Sequence, residues 1–191
     1  LFGALTERRN LEWRDEPTLW AGAVEVWPES ADAWRGYGLA LKFAKRWEES
    51  EAANQRVFDL DPTRIEALDD IGIARVQRKD LIGAREAWEA ALKIRPGHCA
   101  ALNNLAGLRA QEGDRVGAAS GWEGTLRVCP DDATAHMNLG FVYLALREQD
   151  RAIDHLEAYL RVDPGGPYVT RCEKALATRM RVAMCSAPSV S

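Results

Sequence analysis

The apolar and polar positions of this chain repeat with one long period. Pro28, Pro62, Pro96, Pro130 and Pro164 are each separated by 34 residues. A small residue recurs at Gly38, Gly72, Ala106 and Gly140, and a second small column runs through Ser50, Ala84, Ala118 and Ala152. Large apolar residues hold Tyr37, Ile71, Leu105 and Leu139, and again Leu60, Ile94, Val128 and Val162. Trp34, Leu68, Leu102 and His136 form a further column, apolar except at its last member. Fixed-period self-similarity of this kind is the mark of a repeat architecture.

Within a period the pattern reads as two helices. Ala133–Leu146 and Arg151–Val162 both place apolar residues at three- and four-residue spacing, as an amphipathic helix requires. Short polar breaks separate the helices: Arg78-Lys79-Asp80, Glu112-Gly113-Asp114 and Arg147 to Asp150. Each period-marking proline then closes the second helix, because it disfavours helical geometry in the residue before it. Gly or Ala at a helix crossing lets two backbones approach, while the facing large residues fill the space around them. A lone helical hairpin cannot bury its apolar face, whereas stacked hairpins share a core.

These columns resemble the tetratricopeptide repeat (TPR) family, whose unit is a helix–turn–helix of this length. The best-matching unit spans Ala133 to Pro164, with Asn138-Leu139-Gly140, Tyr143, Ala152, Tyr159 and Asp163-Pro164. The resemblance implies an all-α fold, a right-handed superhelical solenoid of stacked hairpins. Four units are expected at 31–64, 65–98, 99–132 and 133–166, after an incomplete N-terminal repeat at 1–30. A capping helix at 167–181 and a docked tail at 182–191 complete the reading. Asn54 departs from the family's aromatic preference, and Arg75 and Arg109 stand where it prefers a large apolar residue. Those two arginines are expected to pack their stems and keep their heads in water. The opening segment, Thr6 to Trp20, is also similar to the junction that precedes extracytoplasmic TPR domains in bacterial polytopic, glycosyltransferase-like membrane proteins.

Charge narrows the range of partners. The 191 residues carry 25 basic and 29 acidic side chains, for a net charge of −4. The pI is near 5.5, whereas a dedicated nucleic-acid binder shows a basic stripe and a high pI. The longest apolar run, Leu139–Leu146, is too short to cross a bilayer, so no membrane insertion by this segment is expected. No charged stretch followed by a long apolar core opens the chain, so no signal peptide is expected either.

Catalytic patterns are sparse. Glycine-rich phosphate loops, a Gly-x-Ser-x-Gly elbow and a His-Glu-x-x-His pair are all absent from the sequence. His98, His136 and His155 have no metal-ligand spacing. Asp69-Asp70 and Asp131-Asp132 diverge on a helix, and read as helix-start and solvated-face acids rather than a converging glycosidase pair. No enzyme, cofactor or metal site is therefore expected. Cys99, Cys129, Cys172 and Cys185 lack any Cys-x-x-Cys pairing and read first as free structural thiols. Cys99 and Cys129 should fall at the same end of their repeat, and spacing leaves open whether they bridge.

Two sets of binding residues follow. The family resemblance implies that the inner face of the first helices lines a concave groove for extended peptides or helices. It places there Arg35, Leu39, Lys42 and Phe43, then Asp69, Asp70, Ile73, Asn103, Asn104 and Gln111, then Met137, Asn138, Phe141 and Leu144. Asn104 and Asn138 match a recurring inner-face Asn that bonds a bound peptide backbone in family members. The second set concerns self-association. Trp20, Trp88 and Trp122 share a core column, while Trp13, Trp27 and Trp47 lie outside it, and aromatics are enriched in interface hot spots. An N-terminal repeat without a polar cap invites stacking on another copy. Trp13, Trp20, Trp27, Tyr168, Val182, Met184 and Cys185 are the residues expected at such a head-to-tail junction, which closes a ring or extends a filament. The expected function is a non-catalytic protein–protein interaction scaffold that self-associates. A monomeric adaptor holding a foreign peptide, and an extracytoplasmic domain of a glycosyltransferase-like membrane protein, are the alternatives. The expected compartment is extracytoplasmic or extracellular in a bacterium, with the cytoplasm as the alternative.

Overall fold

The computed structural model of the chain describes residues 16–186, with side chains described through Ala177. Among the described residues all regular structure is helical: α1 (Glu16–Val26), α2 (Ala31–Phe43), α3 (Trp47–Leu60), α4 (Glu66–Gln77), α5 (Leu81–Ile94), α6 (Cys99–Gln111), α7 (Arg115–Val128), α8 (Ala133–Leu146), α9 (Gln149–Val162) and α10 (Val169–Ser186). The helices starting at Ala31, Leu81, Arg115 and Ala133 begin on side-chain caps. Ser30, Asp80, Asp114 and Asp132 accept the backbone N–H three residues on, at 3.2, 2.9, 2.8 and 2.8 Å, which satisfies an otherwise orphaned donor.

The turn inside each hairpin has its own register. Lys45, Lys79, Gly113 and Arg147 lie one period apart and all take positive φ, at 58°, 66°, 90° and 65°. Left-handed backbone ends the first helix and reverses the chain, and only the third repeat meets that demand with glycine.

The chain divides into two compact units, residues 1–101 and 102–191. In the first, α1 packs on α2, α2 on α3, α3 on α4 and α4 on α5. Its core includes Leu41, Val57, Ile65, Ile71 and Ala91, all nearly inaccessible. The small column explains the close crossings. A Cβ added to Gly72 would lie 2.3 Å from Nε1 of Trp88, so the indole sits directly on bare backbone. In the α2–α3 hairpin the Asn54 amide covers Gly38, and the Ser50 hydroxyl donates to the Gly38 carbonyl at 2.9 Å.

In the second unit α7 packs on α8, α8 on α9 and α9 on α10. One cluster joins Ala106, Ala118, Trp122, Leu139, Tyr143 and Ala152. Another gathers Met137, Leu156, Tyr159 and Cys172, with Val169, Ala175 and Leu176 of α10 packed against it. The closing helix continues to Ser186, past residue 181 and into the segment read as an irregular tail. Ala183 and Met184 are good helix formers, and no proline intervenes before Pro188. Phe2–Trp13, most of the junction-like segment Thr6–Trp20, and the side chains of Val182, Met184 and Cys185 lie outside the described residues.

Candidate functional site

On the first unit the expected inner-face residues divide sharply. Arg35 and Leu39, one turn apart on α2, are exposed and line a hollow of about 240 Å³. Asn54 and Val57 of α3, Arg64, and Glu66, Ala67 and Asp70 of α4 complete it. Three of its four charged residues are committed elsewhere, Glu66 to Arg95 at 3.6 Å. Lys42 donates to Asp70 at 2.5 Å, and Arg64 holds Asp32 at 2.6 Å and Asp61 at 3.0 Å. Those contacts keep the Asp32 and Asp61 carboxyls below their usual range, with Thr63 adding the first contribution at Asp61. Arg35 makes no hydrogen bond or ion pair among the described residues. Phe43, at the end of α2, is 71% exposed.

Asp69 does not belong to that surface. It is buried, and His98 Nε2 approaches its Oδ2 at 2.6 Å, while its Oδ1 has no hydrogen-bond partner. Burial pushes the Asp69 carboxyl up, with the His98 contact opposing. Its backbone carbonyl also accepts from Trp88 Nε1 at 3.3 Å. The reading of Asp69 as an open groove residue is therefore corrected: His98 folds over the same helix face.

On the second unit Asn104 and Asn138 are half-buried and Gln111 is exposed, whereas Asn103 is buried, its Oδ1 without a partner. Met137 is core rather than groove. It packs with Leu156, Tyr159 and Cys172, because α10 covers the inner face of the fourth repeat. Phe141 and Leu144 border the same cluster, and the Arg171 guanidinium lies 4.1 Å from the Phe141 ring centre.

A polar cluster that spacing did not reveal joins α7, α8 and α9. His136 Nε2 lies 3.0 Å from the Pro130 carbonyl and its Nδ1 lies 3.1 Å from Nδ1 of His155. A carbonyl only accepts, so His136 carries its proton on Nε2, and in the neutral pair His155 donates from Nδ1. His155 stacks on Tyr143. The Tyr143 hydroxyl donates to Glu123 at 2.6 Å, Arg151 also binds Glu123, and the Arg151 guanidinium lies over the Tyr143 ring. Burial, then His136, then Arg151 hold the His155 pKa down. These hydrogen bonds and ring contacts run among the cluster's own side chains and the Pro130 carbonyl, which makes it a packing device.

Of the self-association set, Trp20 is half-buried and its ring lies where a Cβ on Gly36 would fall, 2.4 Å away. It is thus occupied within the chain. Trp27 is 61% exposed beside Val26 at 65%. Tyr168 is exposed, and its backbone N–H donates to the Tyr159 hydroxyl at 3.2 Å. Cys99 and Cys129 are each disulfide-bonded, which corrects their reading as free thiols, while Cys172 is free and buried. Arg75 and Arg109 both use their guanidinium on a backbone carbonyl, that of Gly83 at 3.0 Å and Gly117 at 3.3 Å. Among the described residues no group of three or more His, Cys, Asp or Glu could hold a metal ion, and no helix is long and apolar enough to cross a membrane.

The solved structures that resemble this chain agree in fold. MamA aligns with a TM-score of 0.63 at 16% identity, over 83% of this chain and 93% of its own. YrrB, described as a TPR protein with an unusual peptide-binding site, aligns at 0.57 and 17% identity over 90% of this chain and 88% of its own. A chain of the Cut9–Hcn1 hetero-tetramer aligns at 0.71 and 18% identity over 85% of this chain, which spans 32% of that longer one. Identities this low establish the fold alone. No curated protein matches the sequence significantly. The family model for the tetratricopeptide repeat matches residues 18–65 and 118–167. Since those segments cover just over half of the residues, and the helical hairpins carry the family's small and large columns, the chain belongs to the tetratricopeptide repeat family.

Proposed function

We propose that this chain is a non-catalytic interaction scaffold that binds a partner polypeptide on the open faces of its first helices. The observation that carries the reading is the contrast along those helices. The column residues are consumed by packing, while Arg35, Leu39 and Phe43 on the first unit and Asn104 and Asn138 on the second stay accessible. Exposed apolar and amide groups of this kind suit an extended chain, whose backbone offers donors and acceptors and whose side chains seek pockets. YrrB, which shares the fold, is described as having a peptide-binding site. The test is selection of a displayed peptide library on the immobilised protein. Enriched peptides should bind the wild type and lose affinity to an Asn104→Ala/Asn138→Ala double variant whose circular dichroism is unchanged. Failure to enrich any peptide would contradict the reading.

Self-association is the second reading, and its support is the apolar strip left on α1 and at its end: Leu19, Val26 and, just past the helix, Trp27 are 42, 65 and 61% exposed. Light scattering over a concentration series tests it. A mass that rises with concentration in the wild type and stays monomeric in Trp27→Ser supports the contact, and a constant monomer mass removes it. We further place the protein in an oxidising, extracytoplasmic compartment, on the support of disulfide-bonded Cys99 and Cys129.

A further inference from the structure

The first repeat lacks the large side chain that the other three set between their helices. At equivalent positions one period apart stand Asn54, Trp88, Trp122 and Leu156. Trp88 covers Gly72 and Leu156 covers Gly140 at distances that leave no room for a methyl group, and Trp122 is buried beside Ala106. Asn54 is shorter. Its amide lies over Gly38 and donates to the Ser50 carbonyl at 2.9 Å, and beyond it opens the hollow of about 240 Å³ bounded by Leu39, Val57 and Ala67.

We propose that this hollow seats one aromatic side chain of a bound polypeptide, with a carboxylate on a neighbouring residue of that polypeptide meeting Arg35. The proposal rests on the peptide-binding reading and names the chemistry of the residue recognised. Size favours a single ring system: an apolar cavity of about 150 Å³ already accepts benzene, and drug-sized ligands need roughly 300 Å³ or more. Shape favours it too, since the same column holds indoles in the second and third repeats. Charge decides the flanking group. Arg64 is held by Asp32 and Asp61, and Asp70 by Lys42, while Glu66 has Arg95 at 3.6 Å. Arg35 is the cation at the mouth that makes no ion pair among the described residues, Asp32 feeling its charge only at longer range while its carboxylate is held by Arg64. The planar Arg35 guanidinium can pair with a carboxylate in bidentate fashion and lie against an aromatic face.

The experiment uses the whole chain and two blocked dipeptides, acetyl-Trp-Glu-amide and acetyl-Trp-Lys-amide, followed by methyl NMR. The expected result is saturable shifts at Leu39 and Val57 with the Glu dipeptide. Arg35→Ala should weaken that binding about fivefold, the scale of one exposed ion pair, and should leave the Lys dipeptide unaffected. Asn54→Trp, which restores the indole of the second repeat, should abolish binding without lowering the melting temperature. If Trp is not accepted there, Asn54→Leu supplies the side chain of the fourth repeat. Absence of shifts at Leu39 and Val57, or equal binding by wild type and both Asn54 variants, overturns the proposal and assigns the hollow to water. Shifts confined to the Leu105 and Leu139 methyls, next in sequence to Asn104 and Asn138, overturn it too, while leaving the broader peptide-binding reading intact.

Discussion

Replacing Gly72 by Ala probes the feature on which every hairpin depends, the seating of a large side chain on bare helix backbone. The new Cβ would fall 2.3 Å from Nε1 and 2.4 Å from Cε2 of Trp88, against an ordinary contact of 3.4–4 Å. The indole must therefore retreat by about an ångström, and at 3% exposure it has no free space to enter. Overpacking of a tight core costs about 1–3 kcal/mol. Loss of the Trp88 hydrogen bond to the Asp69 carbonyl adds about 1 kcal/mol. Against this, Ala is favoured over Gly in a helix by about 1 kcal/mol. The net expectation is destabilisation of about 2 kcal/mol, read from the midpoint of urea unfolding at constant slope. Gly22→Ala is the control, because nothing lies within 4 Å of its Cβ position, and it should gain about 0.5–1 kcal/mol. Gly140→Ala falls between, since the obstruction is the flexible end of Leu156. A Gly72→Ala protein as stable as Gly22→Ala would refute the packing argument.

Further predictions concern turns, buried charge and pH. Lys79→Gly and Arg147→Gly relieve left-handed backbone at 66° and 65° and should each stabilise by about 0.5–1 kcal/mol, measured by urea unfolding; a loss would show that the side chains matter more than φ. Truncating His98 to Ala strands the buried Asp69 carboxylate and should cost about 3 kcal/mol near neutral pH, whereas Asp69→Asn should be far milder. The Asp69 carboxyl is raised in the fold, so the native state binds more protons between the unfolded and folded values. Stability from this group therefore falls as pH rises through that interval, and Asp69→Asn should gain on wild type over the same range. For His155 the folded value is lowered, so below about pH 6.5 the unfolded state binds more protons. Stability should fall on acidification from that point, and His155→Gln should flatten the acid limb of a melting-temperature profile.

The repeat itself was written in the sequence because its columns are set by contacts within a hairpin and with the next one. Gly72 and Trp88, or Gly140 and Leu156, keep their spacing because one sits on the other. The inner-face assignments fared unevenly for a physical reason. Projecting one repeat onto the next assumes that each inner face meets the same surroundings, and Met137 breaks the assumption because α10 lies over it. Asp69 breaks it because His98, from the loop that closes its own repeat, folds onto it. The left-handed register of Lys45, Lys79, Gly113 and Arg147 left only a trace, Gly113 in one repeat, since lysine and arginine carry no signature of positive φ. Asn54 was visible as a departure from pattern, but the hollow depends on how Leu39, Val57 and Ala67 are disposed around it, which no single column encodes.

If the open faces of the first helices bind polypeptide, hydrogen–deuterium exchange of the whole chain will differ with and without a library-selected peptide. Exchange should slow on α2 and α4 around Arg35, Leu39 and Asp70, and on α6 and α8 around Asn104 and Asn138. Protection confined to α1 and the residue after it, around Leu19 and Trp27, or no protection at saturating peptide, would rule that binding out.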